Sequence, residues 1–337
     1  MKNRQNRNTL FSIFALFILL SLSPILRSEE VKAPPQVVVS ITPFYNLVAF
    51  IMQGVGTPTL LVKPGASPHE YSLKPSEVKK LINADILFWG DENLETFLVK
   101  PLDSLKSTES APKHIVMLSQ TPKLLLLPTR QSPGWEPHEH AHDHDGEESD
   151  HDHEHDHDHN HSHDAHGIND MHFWLDPNNA ILLSDAIAKS LSAIDPLHAS
   201  IYQKNVENLK QHIKKTDEKI AAQLKSMQGK PFVVFHDAYQ YFEKHYGLNG
   251  VGSITLHPEL PPSIQRLNTI RETIQETHAV CVFSEPQFEP KIVQTITEDL
   301  KVKTGELDPL GNPAKPNADG YSELLENLSN SLVKCLK

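Results

Sequence analysis

The sequence predicts an α/β fold: two α/β lobes joined by a long rigid helix, with a metal site in the interlobe cleft. Three observations carry that expectation. Short β-branched runs alternate with helical stretches on both sides of the chain's middle, as in parallel sheets with crossover helices. Between the two alternating regions lies one helical stretch far longer than the rest. Isolated histidines stand where strands give way to loops, which is where open parallel sheets hold their ligands. At 337 residues the chain can build one large or two medium cores.

The first 28 residues stand apart as a signal peptide. Lys2, Arg4 and Arg7 precede an apolar run from Leu10 to Leu22, too short for a comfortable membrane span and flanked like a secretory signal. An uncleaved anchor is the alternative. No cysteine lies near the junction, so a lipid-anchored mature end is not expected.

Residues 31–196 read as the N-terminal α/β lobe. Gln36–Ile41 is a β-branched strand. Thr42-Pro43 opens a helix, with threonine as cap and proline at the first helical position, and Phe44, Leu47, Val48 and Ile51 share one side of it. Thr59–Val62 is a strand, Pro75 starts a helix, Ile86–Trp89 is a strand, Glu92–Leu105 a helix and Ile115–Leu118 a further strand. Across 129–168 the pattern stops. Thr129–Gly134 is polar and kinked by proline, and Glu136–Gly167 is a run of alternating histidine and acid with too little apolar surface to offset its ordering entropy. A disordered loop is expected there.

Order returns at Met171-His172-Phe173-Trp174-Leu175-Asp176-Pro177, where Asp176 caps a helix to about residue 193. From 197 to 228, Val206, Leu209, Ile213, Ile220, Leu224 and Met227 fall at helical steps, giving a strut of roughly 45 Å between the lobes. A coiled-coil partner helix is the alternative. Residues 229–337 repeat the first lobe's style. Strands are expected at Phe232–Phe235, Gly252–Leu256, Val280–Phe283 and Val302–Asp308, with helices from His236, Pro262, Pro290 and Gly320.

The formal charge of −12 is local. Twelve acids and no Lys or Arg fall between Glu136 and His166, and the remaining 31 acids balance 31 bases. A neutral body offers no basic stripe for nucleic acid, and a monomer is expected. The two cysteines, Cys281 and Cys335, read as one disulfide in an exported chain, with buried free thiols as the alternative. The disulfide would staple the last helix to a strand.

His69, in the turn Gly65-Ala66-Ser67-Pro68-His69-Glu70-Tyr71, His172, and His236, at the end of strand Phe232–Phe235, are placed to face the cleft. Three neutral imidazoles suit Zn2+ and leave one tetrahedral position. Glu70 or water is favoured there over Asp308, and a lid from the flexible run could also donate a histidine. Within that run, His138, His140, His142, His144, His151, His153, His155, His157, His159, His161, His163 and His166 should bind extra zinc at weak sites, losing it as pH falls through about 6.5. A solvated loop with incidental affinity is the bland reading of the same run. His114, His198, His212, His245, His257 and His278 read as structural or solvent-facing, with His257 beside Pro258 the one to watch. A hydrolytic zinc site would need a positioned base, and neither a His-Glu-x-x-His helix nor a Gly-x-Ser-x-Gly elbow occurs. A metal store without a transporter is a third class, marked by many weak sites and no tight one.

The Pro68-His69-Glu70-Tyr71 loop, Met171–Pro177, Phe235-His236-Asp237-Ala238-Tyr239, Ser284-Glu285-Pro286-Gln287 and Leu307-Asp308-Pro309-Leu310-Gly311 together resemble the periplasmic zinc-binding subunits of high-affinity zinc ABC transporters. The resemblance spans essentially the whole mature chain, charged loop and cysteine pair included. It implies two lobes on a rigid helix, zinc as the transported ligand, and delivery to a membrane permease driven by a cytoplasmic ATPase. It also implies His69, His172 and His236 as ligands. Manganese-binding relatives carry a glutamate where His236 stands. A signal without a lipid site implies free diffusion in the periplasm.

Overall fold

The computed structural model describes residues 33–107, 111–130, 134–135, 169–255, 258, 260–289, 291–311 and 319–337. The signal segment, the twelve histidines of the charged run and His257 lie outside the described residues. The described residues from 34 onward form one compact unit.

The first lobe is a parallel sheet of β1 (Val37–Val39), β2 (Thr59–Leu60), β3 (Ile86–Trp89) and β4 (His114–Met117) in the order β2-β1-β3-β4. Its crossovers carry α1 (Thr42–Ile51), α2 (Pro75–Ile82) and α3 (Thr96–Ser107). The expected cap of α1 differs: Thr42 already lies inside the helix, Ile41 holds the cap position, and no side chain caps it. Glu95 is buried at the carboxyl ends of two strands, accepting from Ser40 Oγ at 2.5 Å, Asp91 N at 2.9 Å and Gly90 N at 3.0 Å. Burial pushes its carboxyl up to about 7, against the pull of those donors.

Two short strands then pair antiparallel, β5 (Leu127–Pro128) with β6 (Asn169–Asp170), so the chain leaves for the histidine-rich run and returns at one point. After β6 come a 3-10 turn over Phe173–Leu175, α4 (Pro177–Ile194) and the long α5 (Ala199–Leu224). Asp176 caps α4 as expected, accepting from Asn178 N at 2.8 Å with Pro177 in the first turn. The long helix is shorter than the sequence suggested, because 3-10 turns at Pro196–His198 and Lys225–Met227 take up its ends. Its buried stripe of Tyr202, Val206, Leu209, Ile213, Thr216, Ile220 and Leu224 packs on α4 and on α1. Asn205 ties it to the first lobe, donating to the carbonyls of Ile51 and Gln53 at 2.9 Å each.

The second lobe repeats the plan with β7 (Pro231–His236), α6 (Gln240–Tyr246), β8 (Asn249–Thr255), α7 (Ile264–Glu276), β9 (Cys281–Ser284), α8 (Lys291–Thr297), β10 (Lys303–Glu306) and α9 (Gly320–Leu336). Its sheet is parallel in the order β10-β9-β7-β8. Cys281 on β9 and Cys335 on α9 form the expected disulfide.

Strand residues alternate between two buried faces, as parallel strands covered on both sides must. In the first lobe Val37, Val39, Ile86 and Phe88 face a central core, while Val38, Leu87 and Trp89 face α2 and α3. In the second, Phe232, Val234, Cys281 and Phe283 face the same central core, and Val233, Phe235 and Val282 face α7 and α8. Because α5 and α9 lie in that shared core, the lobes are held by continuous packing rather than by a flexible linker. Among the described residues no helix is long and apolar enough to cross a membrane.

Candidate metal centre

The carboxyl ends of both sheets bring three imidazoles together. His69 is carried by the loop that follows β2, where Gly65 takes a φ of 86°, open to glycine at little cost. Ser67 Oγ accepts from the His69 amide at 3.2 Å. His172 lies two residues past the end of the return strand β6, and His236 is the last residue of β7. One ring nitrogen from each lies within 4.8 Å of the other two. The Nε2 atoms of His172 and His236 are 3.2 Å apart. Two ligands of a tetrahedral zinc with Zn–N bonds of about 2.0–2.1 Å are separated by about 3.3 Å, so this pair already has the spacing of two ligands of one ion.

Two of the rings are aimed by buried carboxylates. Asp170 Oδ1 lies 2.8 Å from His172 Nδ1 and accepts from the His172 amide at 2.9 Å. Glu285, on the turn after β9, lies 2.7–2.8 Å from His236 Nδ1 through its two oxygens. A carboxylate on Nδ1 fixes the tautomer with Nε2 bare and makes that nitrogen a better ligand. For His236, burial pulls the pKa down, and the charge and hydrogen bond of Glu285 together with the charges of Asp237 and Asp170 more than offset it, leaving the ring above its ordinary value.

Trp174 donates from Nε1 to Pro309 O at 2.8 Å, and Tyr321 on α9 donates to Trp174 O at 2.7 Å, so second-lobe elements clamp the His172 segment. The cavity at the histidines is bounded further by Pro68, Phe288, Pro309 and Leu310, and the centre of a water-sized sphere can reach only about 10 Å3 of it. That is room for an ion or a single water.

The structure does not bring the two carboxylates expected at the fourth position into the group. Glu70 is exposed and lines a separate shallow depression with Tyr71, Glu92 and Lys100. The physical reason is the anchoring of Tyr71, whose hydroxyl sits 2.9 Å from Glu77 Oε1 and 3.2 Å from Leu61 O, which carries the chain away from the cleft just after His69. Asp308 Oδ1 instead accepts from Gln287 Nε2 at 2.8 Å and from Leu310 N at 3.0 Å. His245 is structural as expected, with Nε2 2.8 Å from Asp217 Oδ1.

The expectation of disorder from residue 129 onward fails at its start. Arg130 holds Asp237 and Glu243 on the second lobe, with 2.6 Å from Nη1 to Glu243 Oε2, and its guanidinium carbon lies 3.4 Å from the Trp135 ring centroid. Gly134 O accepts from Ser253 N at 3.2 Å and from Arg266 Nη2 at 2.7 Å. A side chain at Gly134 would run into the Val251 carbonyl. Tyr241 on α6 completes the stem, donating to Asp170 O at 2.6 Å and accepting from Leu127 N at 2.9 Å. Burial of Trp135 and neutralisation of Arg130 order a segment that composition alone marks as loop.

Comparison with known proteins decides the family. The model of the zinc-uptake complex component A periplasmic family (ZnuA) matches residues 37–335. The chain belongs to this family. It is 47% identical over 308 residues to the high-affinity zinc uptake system protein ZnuA of Brucella abortus (strain 2308), covering 89% of this chain and 91% of that protein. The Yersinia pestis protein of the same description is 38% identical over 305 residues, covering 90% and 92%. The periplasmic zinc-binding protein TroA from Treponema pallidum shares the fold, with a TM-score of 0.71 at 20% identity over 90% of this chain and 99% of that one. Zinc is the ligand of the ZnuA family, whose members are transport components rather than enzymes.

Sequence reasoning missed Asp170, Arg130 and Tyr241. Asp170 had a signal: an acid two residues before a ligand histidine can reach its Nδ1. Glu285 stood in a quoted motif, but its pairing with His236 spans 49 residues and carries no local mark.

Proposed function

We propose that this chain captures Zn2+ in the periplasm between its two lobes, through His69, His172 and His236, and delivers it to the membrane permease of an ABC transporter driven by a cytoplasmic ATPase. The observation that carries this reading is the convergence of three imidazoles, two of them aimed by buried carboxylates, at a cavity with room for one ion. Neutral nitrogen donors favour zinc over manganese, which prefers oxygen. The site lies where the lobes meet, so a partner that shifts one lobe against the other would part the ligands and release the ion. The histidine-rich run, from His138 to His166, collects or buffers further zinc at weak sites close to the stem from which it departs.

Titration of the metal-free mature protein with zinc against a competing chelator tests this. One tight site per chain, accompanied by several weak ones, is the expected result. Only weak, equivalent sites would mean a metal store instead. Zinc uptake into vesicles holding the permease and its ATPase, with and without the protein, tests delivery.

A further inference from the structure

Among the described residues lining the zinc cavity, two buried oxygens lack a hydrogen-bond partner, Glu285 Oε2 and Gln287 Oε1, and the first already lies 2.7 Å from His236 Nδ1. Gln287, on the turn after β9, lines the cavity beside His69, His172 and His236. Its Nε2 donates to Asp308 Oδ1 at 2.8 Å. A carboxylate only accepts, so this bond fixes which end of the amide faces Asp308 and leaves Oε1 on the other side. Gln287 Oε1 is buried and has no hydrogen-bond partner among the described residues. Buried amide oxygens are mostly bonded, and one left without a partner beside a binding cavity has a bound water or ion as a natural partner.

We propose that Gln287 positions the fourth ligand of the zinc, a water, by accepting its hydrogen bond at Oε1. This rests on the reading of the three histidines as the zinc site and deepens it. Other candidates are committed elsewhere. Glu285 holds His236, Ser67 Oγ holds the His69 amide, and Asp308 holds Gln287 and the Leu310 amide. Glu70 lies in a different depression. The rest of the lining, Pro68, Trp174, Phe288, Pro309 and Leu310, presents mainly apolar surface.

The chemistry suits a carrier. A water on zinc is a strong donor, because the ion draws charge from its O–H bonds. A neutral amide accepts that bond without adding charge and without taking the proton, which keeps the ligand a displaceable water. A carboxylate at the same place would bind the metal or act as a base. Asp308 is then a positioning residue acting through Gln287, by holding the amide in the one orientation that presents its oxygen.

The test uses the full mature chain and a Gln287→Met variant, nearly equal in length and without the amide. Zinc affinity by chelator competition should fall by about 10-fold or more, as for other groups that orient metal ligands, while the metal-free protein still unfolds cooperatively, shifted only by loss of the hydrogen bond to Asp308. With Co2+ in place of zinc, the absorption spectrum should change with pH as the bound water ionises. In Gln287→Met that midpoint should move to lower pH, since the amide favours water over hydroxide. A structure of the zinc-loaded parent protein should show the water about 2.7–3.2 Å from Gln287 Oε1. A zinc-loaded structure with a protein side chain at the fourth position overturns the proposal. So does a Gln287→Met protein with the parent's zinc affinity and cobalt midpoint. His172→Ala separates the two claims: retained tight binding there would sink the three-histidine site itself, whereas its loss beside an unchanged Gln287→Met would remove only the role of Gln287.

Discussion

His172 and His236 present Nε2 to the same point, yet the carboxylates that aim them arrive by opposite routes. Asp170 lies two residues before its histidine and grips it with one oxygen, which serves both the ring and the backbone amide. Its carbonyl and strand are pinned from outside, by Tyr241 on α6 and by β5. Glu285 reaches His236 from a neighbouring strand, 49 residues on; its Oε1 likewise serves ring and backbone amide, and its Oε2 also lies against the ring. One pair is made by local chain geometry and the other by the sheet. The first survives wherever the short segment folds, whereas the second exists only when the order β9-β7 is in place.

Removal of either imidazole is the largest perturbation available. His236→Ala or His172→Ala should weaken the tight site by orders of magnitude, read by chelator competition, with weak binding to the histidine-rich run unaltered. Equal retention of tight binding in both would end the comparison, since neither ring would then be a ligand.

The carboxylates should separate more finely. Orienting groups of this kind change metal affinity by about 10- to 100-fold. Glu285→Gln should sit at the upper end, because the amide NH2 would replace an oxygen 2.7 Å from the His236 Nδ1 donor and set donor against donor. Asp170→Asn should sit at the lower end. Its remaining oxygen can still serve both His172 donors, and its new NH2 would meet only Gln240 Nε2, 3.5 Å from Asp170 Oδ2. A larger loss in Asp170→Asn than in Glu285→Gln would reverse this ranking and show that the local route carries more of the orientation.

Protonation sharpens the same contrast. The pKa of His236 is raised, burial being outweighed by Glu285, Asp237 and Asp170 together. A raised folded-state pKa stabilises the metal-free protein below the unfolded value of about 6.5 and loses that contribution as pH rises through the folded value. Zinc needs the bare ring, so affinity should decline as pH falls through the folded value, starting above the ordinary histidine range. Glu285→Gln should move the onset to lower pH. Ring-proton NMR of His236 in the metal-free protein, followed against pH, checks the sign, and a midpoint below that of an exposed histidine would refute it.

How much of this was legible follows from range along the chain. Alternating strands and helices announced both lobes, and the periodic stripe of α5 announced the long helix. Its ends were overestimated because apolar spacing does not distinguish a last α turn from a 3-10 turn. The three histidines could be chosen because each stands at a strand end or turn. Glu70 was misplaced because adjacency to a ligand says nothing of direction, and the anchoring of Tyr71 that decides it is a tertiary contact. Arg130 and Trp135 were lost inside a stretch whose composition is dominated by the run that follows. The partners of Arg130 (Asp237 and Glu243) and of the intervening Gly134 (Ser253) are more than a hundred residues away, and no local pattern points to them.

The smallest effect is expected from the largest change in sequence. Deletion of residues 136–167 removes all twelve histidines of the charged run and the whole formal charge of −12. Yet the anchors of the stem lie outside it: Arg130, Gly134 and Trp135 before, Asn169 and Asp170 after. Those contacts place Asp170, and Asp170 places His172, so the tight site should keep its zinc affinity while the weak sites vanish from the titration. Loss of the tight site would mean that a histidine of the run, rather than water, completes the coordination. Weaker tight binding with a normal ligand count would mean instead that closing the shorter loop strains the stem, and Arg130→Ala in the undeleted chain should then reproduce it.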